Sequence, residues 1–184
     1  MYYPLLKYLY RYFVLNKDTG FLKELGFFSG SSGLWYSWFL AIIIGLGFAY
    51  FTSRKIPAVR DNWNEISLFN LFGVYVALSA SVIEEAFFRR VIMDNFFENY
   101  PVIIQIALSG IIFGLAHGIW GFLKGSVRIA WEAIKITSIL GMILATLYIV
   151  ADRSLAPCIV AHFILTAIIE PWLIVGLIKP SQKS

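Results

Sequence analysis

Ser81-Val-Ile-Glu-Glu-Ala-Phe-Phe-Arg-Arg90 places two adjacent carboxylates inside a run that is otherwise almost wholly apolar. Upstream, residues 71–83 carry no charge, and downstream the two arginines lead into Val91, Ile92 and Met93. An ionisable side chain at membrane depth costs roughly 2.5–3.5 kcal/mol on insertion, so such groups face a cavity or a partner and mark function. On a helix, Glu85 and Arg89 stand four apart and pair on one face. Glu84 then points about 100° away, and the first question is what it faces.

The rest of the chain sets the solvent around that stretch. Of its 184 residues 59% are hydrophobic and only 14% charged, with a mean hydropathy of +0.75. A soluble domain is about 45–50% apolar and about 25% charged. The reading is all-α: a polytopic transmembrane helix bundle in one piece. The net charge of +4 does not point to nucleic acid, because the basic residues are scattered between apolar segments, where they flank spans. Cys158 is the sole cysteine, which excludes an intrachain disulfide. The first apolar stretch is interrupted by Lys7 and Arg11 and does not read as a signal peptide.

Taken in order, residues 1–33 read as an N-terminal amphipathic, interfacial segment, aromatic and studded with Lys7, Arg11, Lys17 and Lys23. Residues 34–184 form the bundle. Its five expected spans are 34–51, 66–83, 102–120, 136–151 and 155–177, the second running on as helix to about Phe97. Residues 121–135 read as a loop, amphipathic at its end, and Asp152-Arg153-Ser154 as a tight connection. Gly110, Gly114 and Gly118 repeat every fourth residue, the spacing that lets membrane helices approach closely. Basic residues divide almost evenly between the two sides, so orientation is not set, and nothing sets an oligomeric state.

The chain has only two histidines, His117 and His162, and both fall inside expected spans. Two carboxylates and both histidines, on three apolar helices, form a set that chance placement explains poorly. Cys158, His162, Thr166 and Glu170 repeat every four residues on the last span and form one polar stripe. Glu170, next to Pro171, reads as an interfacial residue without a role. Residue types alone leave several chemistries open. Glu84, His117 and His162 are possible ligands of a catalytic zinc, though a short His-x-x-x-His pair is absent. Cys158 lies one turn from His162, but a sole cysteine among alanine, valine and proline is more often packing than nucleophile. A non-enzymatic immunity or binding protein, or a proton relay, uses similar groups.

Glu84-Glu85-x-x-x-Arg89, Phe113-x-x-x-His117 and His162-x-x-x-Thr166 resemble, in order and spacing, the three motifs of the CPBP family. These are intramembrane proteases related to the type II CAAX prenyl endopeptidases and to bacteriocin-processing and self-immunity proteins. The family's last motif usually ends in asparagine, where this chain has Thr166. The resemblance implies a hydrolase that uses a glutamate-activated water, with Glu84, His117, His162 and Thr166 catalytic and Glu85 and Arg89 supporting. It implies no metal and no cofactor. It also implies a multi-pass protein of a prokaryotic cell (inner) membrane, acting on a membrane peptide or protein within the lipid bilayer. The substrate itself is open, and nothing in the sequence shows a prenyl specificity.

Overall fold

The computed structural model describes residues 25–27, 33–55, 59–60, 68–123 and 126–178. The expected interfacial segment, 1–33, lies almost entirely outside them. Among the described residues there is no strand. Five helices are long and apolar enough to cross a membrane. They are α1 (Trp35–Lys55), α2 (Leu68–Glu85), α3 (Val102–Leu123), α4 (Val127–Val150) and α5 (Leu155–Ile178). The chain is an all-helical, multi-pass membrane protein.

With no water to drive association between lipid-facing helices, close backbone approach has to do the work, and small side chains allow it. The row Ser37, Ala41, Gly45 and Ala49 is the buried face of α1. A Cβ on Gly45 would stand 2.8 Å from the Ala161 carbonyl oxygen of α5. The row Gly73, Ala77 and Ser81 is likewise buried on α2, and a Cβ on Gly73 would meet Pro171 Cα at 2.7 Å. Gly110, Gly114 and Gly118 lie on Met142, Ser138 and Ile134 of α4, as their spacing predicts. The large apolar residues point outward: Trp35, Phe39, Leu71, Tyr75, Leu115 and Ile119 are all exposed.

These rows sort the bundle into two units. Helix α5 lies against α2 and α1, and α3 lies along α4. The units meet at one end. There α2 continues as a π-helix over Ala86–Phe96, closed by the Phe97 N–H donating to the Ile92 carbonyl, and this segment packs on α3. The two-sided turn at this end is tied by polar groups. Asp94 accepts from Tyr148 (2.6 Å) and is ion-paired with Arg153, which also donates to Gln105 at 3.0 Å. Asp152 and Arg153 adopt left-handed backbone, φ 54° and 58°, to make the short α4–α5 connection expected there.

One expectation on element boundaries is corrected. The stretch 121–135 is not a long loop: α3 runs to Leu123 and α4 starts at Val127. Ser126 caps α4, its Oγ accepting from the Ile129 N–H at 3.3 Å. Arg128, Glu132 and Lys135 are therefore first-turns helix residues, Lys135 pairing with Glu132 at 2.7 Å. Charge had been read as loop where it marks a helix end emerging from the apolar layer. The second span runs on as helix to Phe96, as expected, its last eleven residues as the π segment.

The glycine rows make a stability prediction. A Cβ at Gly114 would lie 1.9 Å from Ser138 Oγ and 2.6 Å from the Ile134 carbonyl oxygen, whereas one at Gly47 meets nothing within 4 Å. Gly114→Ala should destabilise the bundle by about 1–3 kcal/mol through overpacking. Gly47→Ala should be neutral or gain up to about 1 kcal/mol from the lost backbone entropy of glycine. Thermal unfolding in detergent micelles measures both, and equal shifts would contradict the packing described.

Candidate active site

The small-residue row of α2 ends in charge. Gly73, Ala77 and Ser81 are followed at the same spacing by Glu85 and Arg89, and both of these are fully buried. Arg89 Nε donates to Glu85 Oε2 at 2.8 Å, as the four-residue spacing predicts. The remaining partners come from other helices. Glu85 Oε1 lies 2.9 Å from His162 Nδ1 of α5, and Arg89 Nη1 donates to Ser109 Oγ of α3 at 2.6 Å. Ser109 in turn donates to the Phe88 carbonyl at 3.3 Å. One ion pair thus joins α2, α3 and α5.

Glu84 faces a different way. Its Oε2 lies 3.6 Å from His117 Nε2 and 3.9 Å from His162 Nε2, and it has no hydrogen-bond partner. Both distances exceed a direct hydrogen bond, and both leave a gap that a small bridging molecule can share. Each imidazole is oriented from behind. The Phe113 carbonyl lies 2.9 Å from His117 Nδ1; a carbonyl only accepts, so Nδ1 carries the proton and Nε2 is left to face Glu84. His162 Nδ1 is held in the same manner by the Glu85 carboxylate. The Phe113 ring, fully buried, stacks on His117 at 4.4 Å and meets His162 edge-on at 5.7 Å. The site has a fixed half and an open half: the side chains of Glu85 and His162 are 0% and 3% exposed, those of Glu84 and His117 29% and 28%.

The other sequence-selected residues fall outside this centre. Thr166 donates to the His162 carbonyl at 2.8 Å and touches Ser81 Oγ at 3.3 Å. Cys158 is fully buried with Sγ 3.5 Å from the Leu144 carbonyl of α4, so the polar stripe on α5 does not line one cavity. Among the described residues, no three His, Cys, Asp or Glu side chains are arranged to hold a metal ion. Sequence reading missed Ser109, which no charge or motif distinguishes from other serines.

A family model described as Type II CAAX prenyl endopeptidase Rce1-like matches residues 66–168, over half of the chain. The chain belongs to this family. No curated protein and no solved structure matches it. Glu84, His117 and His162 all lie inside the matched stretch. As a family member the protein is a CAAX-type intramembrane endopeptidase in the general sense.

The two glutamates should separate on mutation. Glu85→Gln leaves the buried Arg89 guanidinium without its counter-charge and should cost about 3–5 kcal/mol. Ser109→Ala removes one acceptor from the same guanidinium and should cost about 1–3 kcal/mol. Glu84→Gln breaks no hydrogen bond and should melt with the parent. Unfolding midpoints in one detergent test the order, and a Glu84 variant as unstable as the Glu85 variant would refute it.

Proposed function

We propose that the protein hydrolyses a peptide bond of a membrane-associated substrate with a water activated by Glu84. The observation that carries this reading is the partnerless Glu84 Oε2, set between the Nε2 atoms of two histidines that are each oriented from behind. Glu84 takes a proton from the water as its oxygen attacks the substrate carbonyl. His117 Nε2, an acceptor by its tautomer, orients the water's second hydrogen. The carbonyl becomes an oxyanion facing His162 Nε2, the ring being held from behind by the Glu85 carboxylate at Nδ1. Glu84 then returns its proton to the amide nitrogen as the C–N bond breaks, giving an acid and an amine. We place this chemistry in a prokaryotic cell membrane.

Thr166 has one hydroxyl proton, and the His162 carbonyl receives it. Such back-bonding is the competing use of threonine in helices. We therefore assign Thr166 to holding α5 against Ser81 beneath His162, in preference to donating to the oxyanion. Zinc and thiol readings gain no support from the arrangement of ligands or from the position of Cys158.

Glu84→Gln should abolish cleavage of membrane peptides by the purified protein without loss of folded material. Thr166→Val should keep turnover within about tenfold, whereas loss of an oxyanion donor costs about 10²–10³-fold. Turnover should survive 1,10-phenanthroline and Cys158→Ser. Full activity of the Glu84 variant would remove the proposed base, and inhibition reversed by added zinc would favour a metallopeptidase.

A further inference from the structure

A hydroxyl inside an apolar helix has a ready partner in the carbonyl one turn back. Ser81, Thr137, Thr146 and Thr166 all use it, each donating to the carbonyl four residues earlier at 2.7–2.9 Å. Ser109 on α3 does not. Its fully buried side chain donates to the Phe88 carbonyl of the π segment at 3.3 Å and accepts from Arg89 Nη1 at 2.6 Å. Both bonds leave the helix, and they land on consecutive residues of another one.

From those two residues the contacts divide. Arg89 Nε donates to one oxygen of Glu85, and the other oxygen lies 2.9 Å from His162 Nδ1. Arg89 Nη2 has no hydrogen-bond partner among the described residues, so Glu85 and Ser109 are what fix the guanidinium. The Phe88 ring meets the Phe113 ring edge-on, with centroids 4.8 Å apart. Phe113 in turn stacks on His117 and supplies the carbonyl opposite its Nδ1. Ser109, Phe113 and His117 also stand four residues apart along one face of α3. One branch ends on each histidine, and both begin at one hydroxyl. The Nε2 atoms lie 3.6 and 3.9 Å from Glu84 Oε2, beyond a direct hydrogen bond. The place of each ring is therefore set from behind.

We propose that Ser109 is a positioning residue for the hydrolysis. Its hydroxyl sets the spacing of the two histidines, His162 through Arg89 and Glu85, and His117 through Phe88 and Phe113. The inference rests on the peptidase reading for the task of the two rings and adds what holds them apart. Ser109 belongs to none of the three sequence motifs, and it acts through other side chains, not on the reacting atoms.

The test uses the full chain in detergent, purified without a histidine tag and carrying isotope-labelled histidine. Because the sequence has only two histidines, the ring signals in a magnetic-resonance spectrum are assignable one by one. Ser109→Ala should move the signals of both rings. It should also lower kcat on a membrane peptide roughly 10²-fold, the scale for a displacement of about 1 Å, with KM within about twofold. Gln105→Ala is the control for lost stability. Gln105 is buried one turn earlier on the same face of α3, but it bonds the Glu98 and Tyr100 carbonyls and Arg153. That variant should melt earlier and leave both signals and kcat in place. Ser109→Cys keeps a weaker donor and acceptor at the same point. It should give smaller shifts in the same direction, and it takes the place of the alanine variant if that one does not fold. Unmoved signals in a folded Ser109 variant, movement of one ring only, or equal effects of Ser109→Ala and Gln105→Ala would overturn the assignment while leaving the peptidase reading intact. A parent that cuts no peptide would overturn the peptidase reading, and the ring signals would then decide by themselves whether Ser109 places both histidines.

Discussion

The buried pair of Glu85 and Arg89 is the constraint on which the other contacts of the site depend. Two opposite charges at membrane depth are tolerated only when paired and hydrogen-bonded. Glu85 is also bonded to His162 on α5, and Arg89 to Ser109 on α3. To keep these bonds, three helices must hold one relative height and rotation. The same three helices carry Glu84, His117 and His162. The cost of burying the ion pair thus holds these three side chains in register, and apolar packing alone would tolerate sliding.

Packing by small residues explains why this register is compatible with a partly exposed Glu84. A row at four-residue spacing gives each helix one preferred neighbour: α1 and α2 choose α5, and α3 chooses α4. Nothing of the kind joins α2 to α3. They are joined below, by the π segment, the Arg89–Ser109 bond and the Asp94–Arg153–Gln105 network. The bundle is thus clamped at one end and paired off at the other, and the Glu84 side chain, at the junction, stays 29% exposed.

Much of this was legible in the residues. The five spans follow from apolar length, and the Glu85–Arg89 pair follows from spacing alone. The divergence of Glu84 from that pair also follows from helix geometry, since adjacent residues cannot share a face. The rows on α1 and α2 had the same spacing as the glycines of α3 but are built from serine and alanine as well, and so did not stand out. Contacts between distant segments left no local trace: Ser109 under Arg89, and Ser81 against Thr166. The π segment was hidden because its composition is that of an ordinary α-helix. Residues 121–135 misled because charge at the end of a membrane helix resembles charge in a loop, and only the Ser126 cap distinguishes the two.

The unequal exposure of the four central groups has a chemical sense. Glu85 and His162 are sealed, and Nδ1 of His162 is bonded to the carboxylate that is also paired with Arg89. His162 cannot rotate without breaking a bond that no water replaces, so its Nε2 points one way. Glu84 and His117 are partly exposed, and only the back of His117 is anchored, through Phe113. The water attack proposed above uses this asymmetry. The group that steadies the developing charge must not move, which requires burial. The group that handles water must be reached by it, which forbids burial. Consecutive glutamates on one helix meet both demands, because the 100° between them turns one into the packed interface of α2 and α5 and the other toward the Nε2 atoms of both histidines.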